Sequence, residues 1–203
     1  MEKPRLYTSL RSPFGRRIRL LLEEIGIEHE VELVDVFNLP ASFLEINPLG
    51  RVPVLVLSTG ESLIDSTEIY AHIEKRYGAN TLFASWGARE GRLREIRGLC
   101  LGVMELAVLV FLETLRPPGQ QLPTVREEHL EALHRALKRL ETHVKGPLLL
   151  GESLSAADLD LGAALSYCDL RLGTQVVDRY ASLRACVTKL NQRPSFKKTI
   201  PPQ

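Results

Sequence analysis

Apolar positions change their period partway along the chain. Residues 1–80 carry short runs that switch between strand and helix patterns. Arg5–Thr8 reads as a strand. Pro13–Ile25 reads as a helix, because Ile18, Leu21, Leu22 and Ile25 fall on one stripe and Gly26 follows as a stop. In Glu28–Val34 the glutamates Glu28, Glu30 and Glu32 point one way and His29, Val31 and Leu33 the other, the period of a strand. His29 is therefore read as a strand residue rather than a ligand. Pro53–Leu57 is a short apolar strand, Ser58-Thr59-Gly60 supplies turn chemistry, and Ser62–Ile64 follows. So short a connection implies an antiparallel hairpin. Ser66–Tyr77 is helical again, with Ile69 and Ile73 one turn apart. The order is βαβ, a short irregular or helical link, then ββα. The first two strands run parallel through a right-handed crossover, and the hairpin adds an antiparallel edge, so the sheet is mixed.

From about residue 85 onward no strand pattern stands out. Arg89–Leu115 reads as one long helix. Leu130, Leu133, Leu137, Leu140 and Val144 repeat at the 3, 4, 3, 4 spacing of a buried helical stripe. Leu161, Leu165, Cys168 and Leu172 mark a third helix, and Arg179–Asn191 a fourth. Arg116-Pro117-Pro118-Gly119 separates the first helix from the second, and Gly146-Pro147 ends the second. The expectation is an α/β domain over residues 1–80, a linker near Gly78–Trp86, and an all-α helical-bundle domain over residues 86–203.

Composition narrows the function classes. With 44% hydrophobic and 25% charged residues among 203, there is enough apolar material for a core, which excludes a disordered chain. Residues 1–80 hold 9 basic and 12 acidic side chains, and the remainder 17 and 13. That imbalance is too mild for the basic stripe of a nucleic-acid binder. The most apolar stretch, Leu99–Leu112, contains Glu105 and is shorter than the roughly 20 residues a bilayer span requires, so it reads as a buried helix. The first residues carry no apolar signal core. Cys100, Cys168 and Cys186 are too few and too scattered for a disulfide scaffold or a zinc site, and read as buried, inert thiols in a reducing cytoplasm. No metal, membrane or nucleic-acid partner is expected.

Four segments carry candidate chemistry. Ser12-Pro13 is a helix start, with Ser12 at N-cap and Pro13 at N1. The same geometry points free N–H groups at an anion, where a hydroxyl can donate to a thiolate or carboxylate. In Asn47-Pro48-Leu49-Gly50-Arg51-Val52-Pro53 the Val52-Pro53 bond precedes a strand. A cis bond there leaves the Val52 backbone to pair with a peptide-like ligand, whereas a trans bond makes Pro53 the first residue of an edge strand. Asp65-Ser66-Thr67-Glu68 reads as a capping box closed by Glu68, or as a second anion site in which Ser66 holds a carboxylate and Asp65 an ammonium. Ser155 and Asp158 form a variant capping box with Leu154 and Leu159 as a staple, a structural device.

Singly these motifs are unspecific; their joint order and spacing are not. Across essentially its whole length the chain resembles the soluble glutathione transferases, in a bacterial serine-type branch. LYTSLRSPFGRRIRLLL resembles that family's first strand and helix, NPLGRVPVL the segment with its cis proline, DSTEIYAHIE its acid–serine pair, and LSAADLDLGAAL its C-terminal capping box. The resemblance implies a thioredoxin-like N-terminal domain, an all-helical C-terminal domain and a homodimer.

It also implies roles. Ser12 matches the catalytic position. Val52, before Pro53, would pair with the cysteinyl part of glutathione, Asp65 and Ser66 would hold the γ-glutamyl group, and Arg51 would reach the glycyl carboxylate or lie on the surface. Glutathione is then a co-substrate, and no other cofactor is expected. Two features depart from the family's variants. Serine, not cysteine, precedes Pro13, and serine cannot form the mixed disulfide of glutaredoxin-like or dehydroascorbate-reductase chemistry. Tyr7 and Ser9 lie close enough to compete with Ser12 for the thiol. The implied activity is attack of the thiolate, with Arg16 as a further source of positive charge, on a small hydrophobic electrophile or a peroxide. Leu10, Phe14, Met104, Val108 and Phe111 are candidate pocket residues. The competing expectations are a non-catalytic docking module on the same fold and a carrier of hydrophobic anions.

Overall fold

A computed structural model describes residues 3–78, 82–83 and 90–202. Contacts divide the chain into two units: Met1–Ala84 with Pro194–Gln203, and Ser85–Arg193. The segment from Pro194 thus groups with the first unit, although the sequence pattern assigns all of 86–203 to the helical half. The expected linker at Gly78–Trp86 lies largely outside the described residues.

The first unit contains β1 (Arg5–Thr8), α1 (Pro13–Ile25), β2 (Glu30–Leu33), α2 (Ala41–Ile46), β3 (Val54–Val56), β4 (Ser62–Ile64) and α3 (Ser66–Tyr77). The sheet order is β2-β1-β3-β4. β1 and β2 are parallel, with Leu6 opposite Val31, and β3 runs antiparallel to both β1 and β4. This is the expected mixed, thioredoxin-like arrangement. Ile18, Leu20, Leu21 and Leu22 of α1, Leu6 of β1 and Ile69 of α3 are all fully buried. Gly26 ends α1 at φ 73, the left-handed conformation that glycine adopts without a Cβ penalty.

One strand departs from its pattern. The alternation in residues 28–34 implies a buried face, yet every residue of β2 is exposed, with Val31 at 43% and Leu33 at 59%. β2 is an edge strand, paired only with β1 among the described residues. His29 precedes it and bonds the Ile27 carbonyl through Nδ1 at 2.8 Å, a local role.

The second unit is helical: α4 (Glu90–Thr114), α5 (Pro123–Glu141), α6 (Ala156–Leu172), α7 (Gln175–Asp178) and α8 (Ala181–Leu190). Arg89, the expected first residue of the long helix, lies outside the described residues. Of the predicted stripes, Leu133, Leu137, Leu140, Leu161, Leu165 and Cys168 are fully buried, whereas Leu130, Val144 and Leu172 are only half-buried and Val144 lies beyond the end of α5. Cys100 and Met104 of α4 are fully buried as well. Burial pushes the thiols of Cys168 and Cys186 up to about 12, which keeps them protonated and inert. Glu113 ties α4 to the start of α5. Its carboxylate accepts the Leu122 N–H at 2.7 Å and an Arg116 N–H at 2.8 Å, contacts that hold its pKa below the ordinary value. No described helix is long and apolar enough to cross a membrane.

A last helix, α9 (Pro194–Lys198), packs on α1 within the first unit. The Ser195 hydroxyl donates to Glu24, Lys198 pairs with Glu23 at 2.7 Å, and Arg16 donates to the Phe196 carbonyl at 3.4 Å.

Candidate active site

Topology gathers the candidate residues. β1 and β4 point the same way and β3 the opposite way. The C-terminal ends of β1 and β4 therefore meet the N-terminal end of β3, in the row Tyr7–Val54–Ile64. Ser12 follows β1, Val52 and Pro53 precede β3, and Asp65 and Ser66 follow β4. All five emerge at one end of one sheet. Two strand spacings separate β1 from β4, about 10 Å, the length of an extended three-residue peptide.

Ser12 caps α1. It is extended at φ −72, ψ 125, and its Oγ accepts the Gly15 N–H at 3.1 Å. Its own N–H donates to the Ser9 carbonyl at 3.0 Å, which tightens the turn leaving β1. Since the hydroxyl accepts from the helix, its proton is left to donate outward, at the positive end of the dipole. Gly15 makes this turn fit. A Cβ there would overlap the Thr8 hydroxyl and approach Thr8 Cβ to 3.3 Å, and Thr8 is fully buried. Gly15→Ala is expected to destabilise the protein by about 1–3 kcal/mol, read from chemical denaturation.

The two competitors of Ser12 are differently placed. The Tyr7 ring packs on Phe43 at 5.8 Å in an apolar cluster with Val34 and Val54, and its side chain, with Glu30, raises the pKa of Arg5. Ser9 contributes its carbonyl, which accepts from Ser12 and from the Thr8 hydroxyl at 3.3 Å. Arg16 does not serve the helix start, as the sequence reading had it. It is 3% exposed and committed to α9, its guanidinium 5.7 Å from the Phe196 ring centre and Nε donating to Thr199 at 3.5 Å. Burial, with Arg19 nearby, lowers its pKa to about 10.

The Val52-Pro53 peptide is cis, which resolves the even choice left by the sequence. Among the described residues, the turn and loop hydrogen bonds leave both the Val52 N–H and its C=O unused. The loop before it is built by a residue that sequence reasoning did not single out. Asn47, fully buried, donates to the Arg51 carbonyl at 2.7 Å and accepts the Leu49 N–H at 3.1 Å. An asparagine directly before a proline in a Gly-containing turn was the signal. The side chain of Arg51 is exposed.

Asp65 caps α3 through Oδ1, which accepts the Thr67 N–H at 2.7 Å. Among the described residues Glu68 makes no return bond, so the expected capping box is absent and Asp65 acts alone. Asp65 sits at φ 79, ψ 141, a region that side chains other than glycine rarely enter and that costs on the order of 1–3 kcal/mol. The kink sets Ser66 into the interior at 2% exposure. There Ser66 Oγ accepts from Nη1 of Arg17 at 3.0 Å. Arg17 is fully buried, with its guanidinium 4.5 Å from the Tyr70 ring centre. It too was missed in the sequence; its sign there was an arginine one turn before Leu21, on the buried side of α1.

Of the candidate pocket residues, Leu10 and Phe14 are half-buried, while Met104 is fully buried and belongs to the core of its unit. Phe111 lies under Arg171 at 4.1 Å. Among the described residues no cluster of His, Cys, Asp or Glu has a metal-binding arrangement.

Residues 6–81 match the glutathione S-transferase N-terminal domain family, and residues 123–185 the glutathione S-transferase C-terminal domain family. The uncharacterized GST-like protein YibF of Escherichia coli (strain K12) is 31% identical over 201 residues, covering 98% of this chain and 99% of that one. Glutathione S-transferase DHAR2 of Arabidopsis thaliana is 33% identical over 197 residues, covering 92% of this chain and 83% of that one. A crystal structure of a glutathione S-transferase from Methylobacillus flagellatus KT with GSH bound has a TM-score of 0.91 at 31% identity, covering 98% of this chain and 100% of that one. Similarity on this scale takes in both units, and the chain belongs to the glutathione S-transferase family.

Proposed function

We propose that the protein is a glutathione transferase in which the Ser12 hydroxyl stabilises the glutathione thiolate. The observation that carries this reading is the Ser12 hydroxyl itself, which accepts from Gly15 and so keeps its proton for a ligand at the start of α1. Glutathione fits the row of groups in one order. Its thiol lies at Ser12, its cysteinyl backbone pairs with the unused N–H and C=O of Val52 as an added strand, and its γ-glutamyl carboxylate and ammonium meet Ser66 and Asp65. Arg51 serves the glycyl carboxylate. The glutathione-bound relative at 31% identity supports the same co-substrate.

The energetics suffice. A free thiol has a pKa of about 8.5, so only a few per cent is ionised at neutral pH. One hydrogen bond to a charged acceptor contributes roughly 1.5–3 kcal/mol, or about one to two pKa units. The thiol proton passes to water. The thiolate sulfur then bonds to the electrophilic carbon of a small hydrophobic substrate as the leaving group departs with its electron pair. With a peroxide, the thiolate sulfur bonds to the terminal oxygen as the O–O bond breaks and the alcohol leaves, and the thiol of a second glutathione then displaces water from the resulting sulfenic acid to give the disulfide. Serine at position 12 cannot itself enter a mixed disulfide. The working unit is a cytoplasmic homodimer.

An ultraviolet difference titration of glutathione with the pure protein, from pH 5 to 9, tests this reading. The expected result is a saturable thiolate signal with a midpoint one to two units below about 8.5. Absence of saturable binding, checked by calorimetry, overturns it in favour of a docking role for the same fold.

A further inference from the structure

Arg17 has no part in the scheme above, yet it is a fully buried arginine whose guanidinium ends on a ligand-binding residue. A guanidinium can only donate, whereas a serine hydroxyl has one proton and two lone pairs. With Nη1 of Arg17 donating into Ser66 Oγ at 3.0 Å, Ser66 is fixed as an acceptor on its inner side. Its single proton is left for the outer side. Resting on the proposed glutathione site, we propose that Arg17 is a positioning residue that makes the Ser66 hydroxyl a one-way donor to the γ-glutamyl carboxylate of the ligand.

Three features of the structure favour this role over simple core filling. Ser66 is the first residue of α3, so its hydroxyl and the first N–H groups of that helix share one anion-binding end. Ser66 directly follows the positive-φ turn at Asp65, φ 79, and is itself 2% exposed, so its side chain sits within packed protein. The guanidinium is itself held flat, 4.5 Å from the ring centre of Tyr70 on the next turn of α3. One helix thus carries both the hydroxyl that is oriented and the ring that holds its orienter. The fixed positive charge behind Ser66 also selects an anion in front of it, so Arg17 bears on ligand choice as well as on affinity.

The test compares glutathione with its analogue amidated at the γ-glutamyl α-carboxylate, by calorimetry on the intact protein. The wild type is expected to prefer glutathione by about 10- to 100-fold. In Arg17→Met the preference falls to within about threefold, and Ser66→Ala does the same. The double variant loses no more than either single one, because Arg17 acts through Ser66. Arg17→Gln, which keeps a donor without the charge, serves if the methionine variant does not fold, and its preference is expected to fall at least about threefold. A folded Arg17 variant that keeps the full preference overturns the proposal, as does equal weakening of both ligands, which marks a purely structural role. Failure of the wild type to bind glutathione at all overturns the reading of the site instead.

Discussion

Ser12→Ala is expected to lower kcat/KM for glutathione conjugation by about 10- to 100-fold while glutathione binding persists. The hydroxyl is one donor to a charged sulfur, worth roughly 1.5–3 kcal/mol, and each 1.4 kcal/mol is about tenfold in rate. Binding is expected to persist because, in the proposed complex, Val52, Asp65 and Ser66 hold other parts of the tripeptide. The pH–rate profile should shift in step, its midpoint returning toward about 8.5. Ser12 has a second task, accepting the Gly15 N–H at 3.1 Å, and its loss costs about 1 kcal/mol of stability. Ser12→Gly separates the two, since glycine at N-cap costs only a few tenths of a kcal/mol. It should show the same loss of activity with a smaller loss of stability. Unchanged turnover in both variants would transfer the thiol to another donor, with Ser9 on the same turn as the next candidate.

The largest effect on stability is expected at Asp158. This carboxylate, fully buried at the start of α6, accepts the Ser155 N–H and the Leu149 N–H, each at 2.9 Å, and the Ser155 hydroxyl. It therefore caps α6 and also fastens the loop at Leu149 to it. Burial lifts the carboxyl above its ordinary pKa, and these donors oppose the lift. Asp158→Ala strands two buried N–H groups at about 1–3 kcal/mol each, so the total is roughly 2–5 kcal/mol. For a protein of this size that lowers Tm by roughly 4–20 °C. Asp158→Asn keeps one acceptor and should lie between the two. A Tm within a degree of wild type for Asp158→Ala would show that water satisfies those groups, and the capping argument would fail.

Both predictions concern devices that were visible in the chain itself, because caps are local. Ser12 before Pro13, Asp65 before Ser66 and Ser155 before Asp158 each announce a helix start within four residues. The helical stripes were legible for the same reason: Leu133, Leu137 and Leu140 meet the core at a fixed spacing. What was not legible depends on distant partners. Arg17 looks like one of three arginines in Arg16-Arg17-Ile18-Arg19, and only the arrival of Ser66, 49 residues later, separates its role from theirs. The place of Arg16 is illegible for the same reason, since α9 captures it from 180 residues away. β2 alternates like a half-buried strand, but nothing in Val31 or Leu33 records that the strand lies at the edge of its sheet. The capping box at Glu68 failed because Asp65 alone caps that end, through the Thr67 N–H.

The packing of α9 on α1 has a consequence for the order in which the protein can be made. The first unit is interrupted by Ser85–Arg193, and its remaining piece begins only at Pro194. A ribosome adding 5–20 residues per second needs roughly 5–20 s to cross that interval. Throughout it, α1 has emerged while the partners of Arg16, Glu23 and Glu24 have not. The helix that begins at Ser12 is thus sealed last, after the helical unit has been synthesised, and the nascent first unit depends on its own sheet until then.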